Sequence, residues 1–408
     1  MKKITSLLLL TLLLAGCGGP GSVPSPNASA GSAAVSLEIP APSGSSAPEE
    51  PQEEPLPPTP PEGPAPETRE ETLSRLLSAM TVEEKVGQLF FARCPETDGA
   101  ALAQQYHLGG YLLFGRDFKN KSADEVRDAI DGCQNAVQIP LLIGADEEGG
   151  TVVRISSNPQ LRETLFLSPQ QLYAQGGMEA ILADTAEKDA LLRSLGVNVN
   201  FAPVADLSEN PEDFIYPRAF GQGPEETSQF TAAVVTQMEE DGMGSVLKHF
   251  PGYGSNPDTH TGSALDSRPL DQFLTRDFLP FRAGIEAAPG GTAAVLVSHN
   301  VIQAVDPSLP ASLSPAVLDL LREELNFDGV VLTDDLAMEA VAAYASDGTA
   351  PVLALTAGVD MVVTSDYQTQ IPQVLEAVEK GQITPKRLDQ AVTRVLGWKY
   401  DLGLLEGL

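Results

Sequence analysis

Eight short apolar runs, separated by amphipathic or polar stretches, organise the chain from about residue 73 onward. They are Leu89 to Ala92, Gly110 to Phe114, Pro140 to Ala145, Val197 to Pro203, Ser245 to Leu247, Ala293 to Val297, Gly329 to Leu332 and Val359 to Val363. Runs this short that are apolar throughout, without alternation, predict strands buried on both faces, as in parallel sheets covered by helices. Thr81-Val82-Glu83-Glu84 matches a capping box and predicts a helix start ahead of Val86 and Leu89. Eight such strands alternating with helices predict an α/β fold, a (β/α)8 TIM-type barrel forming a single domain over 71–408. The pattern alone leaves a doubly wound open sheet as the alternative.

The first 70 residues follow another pattern. Lys2 and Lys3 precede an apolar run from Ile4 to Ala15, short for a bilayer span and suited to a signal-peptide core. Leu14-Ala15-Gly16-Cys17 resembles the lipobox of bacterial lipoproteins, so residues 1–16 are expected to be a signal peptide and Cys17 the lipidated first residue of the mature chain. The expectation is an extracytoplasmic protein held at the bacterial membrane by its lipid. Between Lys3 and Arg69 there is no Lys or Arg, and Pro, Ser, Ala, Gly and Glu dominate from Gly18 to about Glu70. Such a segment has nothing to build a core from, and 17–70 is expected to be a disordered linker. Extended at roughly 3.1 Å per residue, it sets the domain on the order of 100 Å from the membrane.

Of the 408 residues, 42% are hydrophobic, enough for a large core. Acidic residues outnumber basic ones 56 to 25, a net charge of −31, which repels a phosphate backbone and argues against nucleic-acid partners. Cys17, Cys94 and Cys133 match no thiol-ligand spacing, and pairing of the last two is open. With no His-x-His or His-x-x-x-His pair, neither a metal nor another cofactor is expected.

Polar residues recur where the apolar runs end: Asp146, Asp206, Lys248-His249, Ser298-His299, Thr333-Asp334-Asp335 and Ser365-Asp366. In parallel α/β folds these carboxyl ends converge on the face that carries active sites. Any one of them is also a plausible helix cap; six together point to a site. Lys248 to His260 leaves a strand as a mobile polar loop punctuated by Gly and Pro, with Asp258 two residues from His260. A carboxylate at that distance can fix the imidazole tautomer and stabilise the imidazolium, the arrangement of a general acid/base. Asp334 or Asp335 can serve as a nucleophile at a sugar's anomeric carbon, and strand alternation admits only one of them to the barrel mouth, leaving Asp335 to cap the next helix. The acidic turn Asp146-Glu147-Glu148 and Arg218 add ligand-binding candidates, each weak alone.

Together these segments resemble glycoside hydrolase family 3, in its single-domain β-N-acetylhexosaminidase branch. The matching pieces, in order, are Asp146 to Arg154, Asn200 to Val204 with Asp206, Arg218 to Gly221, Lys248 to His260, Leu309 to Ser314 and Phe327 to Met338. The resemblance implies Asp334 as nucleophile, His260 as acid/base with Asp258 its dyad partner, and Asp146, Arg218, Lys248 and His249 as ligands of the terminal sugar's hydroxyls. Tyr253 and Ser255 depart from the usual family loop, where a histidine and an aspartate are frequent. The implied reaction is retaining cleavage of non-reducing terminal N-acetylglucosamine through a glycosyl-aspartate, on peptidoglycan fragments given the expected location. A β-glucosidase, an N-acetylglucosamine phosphorylase on the same scaffold, and a non-catalytic sugar-binding lipoprotein are the alternatives.

Overall fold

The computed structural model describes residues 67–345 and 349–408, apart from 260, 261 and 263. Cys17 and the signal-peptide segment lie outside the described residues, as does the linker up to residue 66. No helix among the described residues is long and apolar enough to cross a membrane.

Each of the eight apolar runs overlaps a strand: β1 Phe90–Arg93, β2 Gly110–Leu113, β3 Leu142–Ala145, β4 Val199–Asn200, β5 Gly244–Phe250, β6 Ala293–Val297, β7 Val331–Thr333 and β8 Val362–Thr364. They form one parallel sheet, running β8, β1, β2 and on in chain order to β7. The register is tight, with Phe91 opposite Val363 on one side and Gly110 on the other. A parallel bridge between Leu332 and Met361 brings β7 back to the chain entering β8, and the Met361 amide donates to the Val331 carbonyl at 3.1 Å. The sheet is therefore a nearly closed (β/α)8 barrel, not an open doubly wound one.

Inside the barrel, Phe91 and Phe201 meet edge to face at 5.2 Å, and every residue of β2, β3 and β6 is buried. The outer helices start where the sequence supplies caps. Thr81 and Glu84 form the expected capping box before Val82–Gln88, and Ser122 with Glu125 does the same for Ala123–Gln134. Proline occupies the first turn of Pro169–Ser194, Pro224–Glu240, Pro315–Glu323 and Pro385–Asp401, where its missing N–H costs nothing. Trp398 is a packing residue, buried and donating to the Thr292 carbonyl at 2.9 Å. His107 ends a helix away from the strand ends, and Cys94 and Cys133 are free thiols. Loops after β5 and β6 pair Leu265–Asp266 with Val301–Ile302 as a small extra ribbon above the barrel rim.

Candidate active site

The carboxyl ends of the strands open into a cavity of about 580 Å³, within the ~300–1,000 Å³ typical of small-molecule sites. Asp146, Arg218, Lys248, His249 and Asp334 all line it. Asp258 is half-buried, and its neighbour Thr259 reaches the cavity wall. His260, and with it the expected dyad contact to Asp258, lies outside the described residues.

The acidic turn after β3 divides its labour. Asp146 faces the cavity and accepts from Lys248 Nζ at 2.7 Å and from Arg154 Nη2 at 3.3 Å. Glu147 is fully buried and structural: it accepts from the Arg154 and Ile155 amides, each at 2.7 Å, and from the Ser156 hydroxyl. Glu148 points the other way into a buried ion cluster. Arg218 Nε and Nη2 donate to its two oxygens at 3.0 and 2.8 Å, and Lys248 Nζ lies 2.5 Å from Oε1. Burial by itself would raise the Glu148 pKa; the charges of Arg218 and Lys248 outweigh it and hold the carboxyl well below the usual carboxylate range. Gly149, at φ +95°, makes the turn possible, because a Cβ there would sit 2.2 Å from the Leu167 carbonyl oxygen.

Strand β5 delivers Lys248 and His249 together, both buried, across a cis peptide bond. His249 is fixed by Asp206, whose Oδ2 accepts from the His249 amide at 3.0 Å and lies 2.7 Å from Nδ1. With Nδ1–H donated to Asp206, Nε2 is the acceptor for Arg218 Nη2 at 3.1 Å. A continuous chain of contacts thus runs from Asp206 through His249, Arg218, Glu148 and Lys248 to Asp146. Rigid, desolvated and rich in donors, it is suited to holding a polyol in one orientation.

Asp334 stands at the end of β7, its amide donating to the Val297 carbonyl at 3.0 Å and its Oδ1 accepting from the Asp335 amide at 2.9 Å. Strand alternation predicts that only one of the two aspartates faces inward, yet both line the cavity. The ladder ends at Thr333, so alternation no longer applies. Asp335 does not cap the next helix, Glu339–Ala342; its Oδ1 accepts from the Ala337 amide at 2.9 Å in a local turn. Burial pushes the Asp335 carboxyl up, against that hydrogen bond, and the Asp334 charge adds to the rise.

The loop beyond β5 is held by hydrogen bonds over residues 251–259. Tyr253 Oη accepts from the Thr259 amide at 3.0 Å and donates to the Pro257 carbonyl at 3.1 Å, while its own amide donates to Asp206 Oδ1 at 2.6 Å. Asn256 donates to Asp266 at 2.6 Å. His299, grouped by sequence with the other strand-end histidines, is instead buried behind the cavity, with Nδ1 2.7 Å from Ser312 Oγ. Arg93 is a site feature that the sequence pattern did not single out, and Glu148, a ligand candidate in the acidic turn, is instead the buried partner of the two cations. Among the described residues no group of three or more His, Cys, Asp or Glu side chains is arranged to hold a metal ion.

Residues 81–397 match the model of the glycosyl hydrolase family 3 N terminal domain. A β-hexosaminidase of Stenotrophomonas maltophilia (strain K279a) is 36% identical over 304 residues, covering 71% of this chain and 86% of its own length. The β-hexosaminidase LpqI of Mycobacterium tuberculosis is 29% identical over 78% of this chain and 83% of its own. Among solved structures, a glycoside hydrolase family 3 β-N-acetylglucosaminidase from Paenibacillus sp. str. FPU-7 superposes with a TM-score of 0.74 at 31% identity, covering 81% of this chain and 64% of that one.

Proposed function

The chain belongs to glycosyl hydrolase family 3 and is a glycoside hydrolase, and on that premise we propose that it is a retaining exo-β-N-acetylglucosaminidase acting on peptidoglycan fragments. The observation that carries the reading is the position of Asp334, at a strand end in the same cavity as the Asp146–Lys248–Glu148–Arg218–His249 cluster. The β-hexosaminidase and β-N-acetylglucosaminidase names of its relatives support the sugar.

In this reading Asp146, Arg218, Lys248 and His249 hold the hydroxyls of the terminal sugar. The Asp334 carboxylate attacks the anomeric carbon as the bond to the leaving-group oxygen breaks, and His260, oriented by Asp258, gives that oxygen its proton. Water then attacks the glycosyl-aspartate, His260 taking back a proton and Asp334 leaving as carboxylate. A histidine with an ordinary pKa of about 6.5 can perform both transfers near neutral pH. Cys17 is the proposed lipid attachment point, placing the domain outside the cytoplasmic membrane.

The reading is tested by turnover of 4-nitrophenyl N-acetyl-β-glucosaminide against 4-nitrophenyl β-glucoside, each with and without phosphate. Preference for the glucosaminide, releasing free sugar, supports it. Preference for the glucoside, or a sugar phosphate formed only with phosphate, replaces it with the β-glucosidase or phosphorylase alternative.

A further inference from the structure

The cations of the cavity are not alike. Lys248 is bound to Asp146 and Glu148, Arg218 to Glu148, and Arg154 to Asp146. Arg93, at the end of β1, also lines the cavity, but its guanidinium makes no hydrogen bond and no ion pair within 4 Å among the described residues, the Asp117 carboxylate acting on it only at longer range, and its Nε is buried without an acceptor. It lies over the Phe114 ring instead, with Cζ 4.3 Å from the centroid. Arg154 approaches the same ring, Cζ at 5.5 Å, and its Nε is likewise buried without an acceptor. The Arg93 Nε is closed off from solvent, so what this guanidinium can offer a ligand is its Nη groups, for which no acceptor lies within hydrogen-bond reach among the described residues.

The barrel order sets which part of a substrate this is. Residues proposed to hold the terminal sugar come from the β3-to-β5 side, whereas β1 stands across the barrel from β5. Arg93 therefore faces Lys248 and His249 from across the cavity, with Phe114, at the end of β2, beside it. A guanidinium resting against an aromatic ring can keep its Nη edge free for a two-pronged contact with a planar carboxylate. In a chain of net charge −31, which repels anions at long range, a cation inside the cavity that no ion pair ties down is what an anionic substrate needs.

Resting on the glucosaminidase reading, we propose that Arg93 is a specificity-determining residue that recognises a carboxylate on the leaving-group sugar, as N-acetylmuramic acid carries on its lactyl ether. Phe114 and Arg154 orient it.

The test compares three substrates: N-acetylglucosaminyl-β-1,4-N-acetylmuramic acid, its lactyl methyl ester, and the β-1,4 dimer of N-acetylglucosamine, which has no carboxylate. In wild type, kcat/KM for the acid is expected to exceed that for the ester by about tenfold or more, as a charged hydrogen bond would give. In Arg93→Gln that ratio falls toward one, and Arg93→Lys retains part of it. An acid-to-ester ratio unchanged in Arg93→Gln, or an equal loss on all three substrates, overturns the proposal. So does a wild-type rate that rises with inorganic phosphate and ceases to do so in Arg93→Gln, which would assign the guanidinium to an acceptor anion. Equal turnover of all three by wild type sinks this inference alone, while turnover of none of them, nor of the aryl glucosaminide, sinks the glucosaminidase reading beneath it.

Discussion

Arg218 grips Glu148 with two parallel hydrogen bonds, Nε to Oε2 at 3.0 Å and Nη2 to Oε1 at 2.8 Å, while Lys248 closes on the same Oε1. Neither cation reaches the cavity as an independent charge; Glu148 sets where both point. Truncation by Glu148→Ala leaves two buried cations short of a carboxylate, and breaking a buried pair in this way costs about 3–5 kcal/mol. The expected result is a lower denaturation midpoint in urea together with a steep loss of kcat/KM. Wild-type stability in that variant would contradict a structural role for the cluster.

A second buried acid fixes a pH dependence. Asp189 is fully buried, neither of its oxygens meets a donor, and burial, helped by the charge of Asp241 and opposed by Lys188 and Arg193, pushes its pKa up to about 8. The folded state then keeps this proton between about pH 4 and pH 8 while the unfolded chain releases it, so stability falls as pH rises through that window. Asp189→Asn mimics the protonated form, and its stability should decline less than wild type's between pH 5 and pH 9, as read from unfolding midpoints. Parallel pH profiles for the two proteins would refute this.

Tyr253 stands in the loop beyond β5, and its hydroxyl ties the strand end to the Thr259 amide next to the proposed acid/base. Tyr253→Phe removes that tie, worth about 1 kcal/mol. Turnover of the N-acetylglucosamine dimer, whose leaving group needs a proton, should fall by roughly fivefold, and the 4-nitrophenyl glucosaminide should be affected less. His260→Ala should show the same split in stronger form. Equal losses on both substrates would detach the loop from proton transfer.

For the amino terminus, the lipobox reading makes Cys17→Ala a clean probe. The wild-type chain expressed in a bacterium should partition with membranes and carry acyl groups on its amino-terminal peptide by mass spectrometry, and the variant should do neither. A soluble, unmodified wild-type protein would contradict the anchor.

How much of this was legible in sequence follows from where side chains go. β1, β2, β3 and β6 are apolar on both faces, because helices cover one and the barrel interior the other, and so a simple run of apolar residues locates them. β5 is longer than its apolar run, Gly244–Phe250 against Ser245 to Leu247, because Lys248 and His249 are buried through ion pairs and hydrogen bonds that no hydropathy pattern reveals. The Val197 to Pro203 run is the converse: regular pairing is confined to Val199–Asn200, single backbone bonds at Asn198, Phe201 and Ala202 reach the neighbouring strands, and the run ends in a proline that cannot donate. Asp146 and Asp334 were visible as strand-end acids. Glu148 was visible as part of the acidic turn, but its role was not, since its partners lie 70 residues or more away and only the barrel brings them together. Arg93 was hidden for the opposite reason, its significance being the lack of a partner.

The central claim, that Asp334 carries the sugar covalently, is tested most directly by trapping. The protein would be incubated with a 5-fluoro N-acetylglucosaminyl fluoride, whose slow hydrolysis lets a glycosyl-enzyme accumulate, then digested and analysed by mass spectrometry. The account predicts one fluorosugar on the peptide containing Asp334, and a turnover of Asp334→Ala lower by about 10³-fold or more in a protein that still unfolds cooperatively. A label on another residue, or an Asp334→Ala variant that keeps a tenth of wild-type activity, would contradict it.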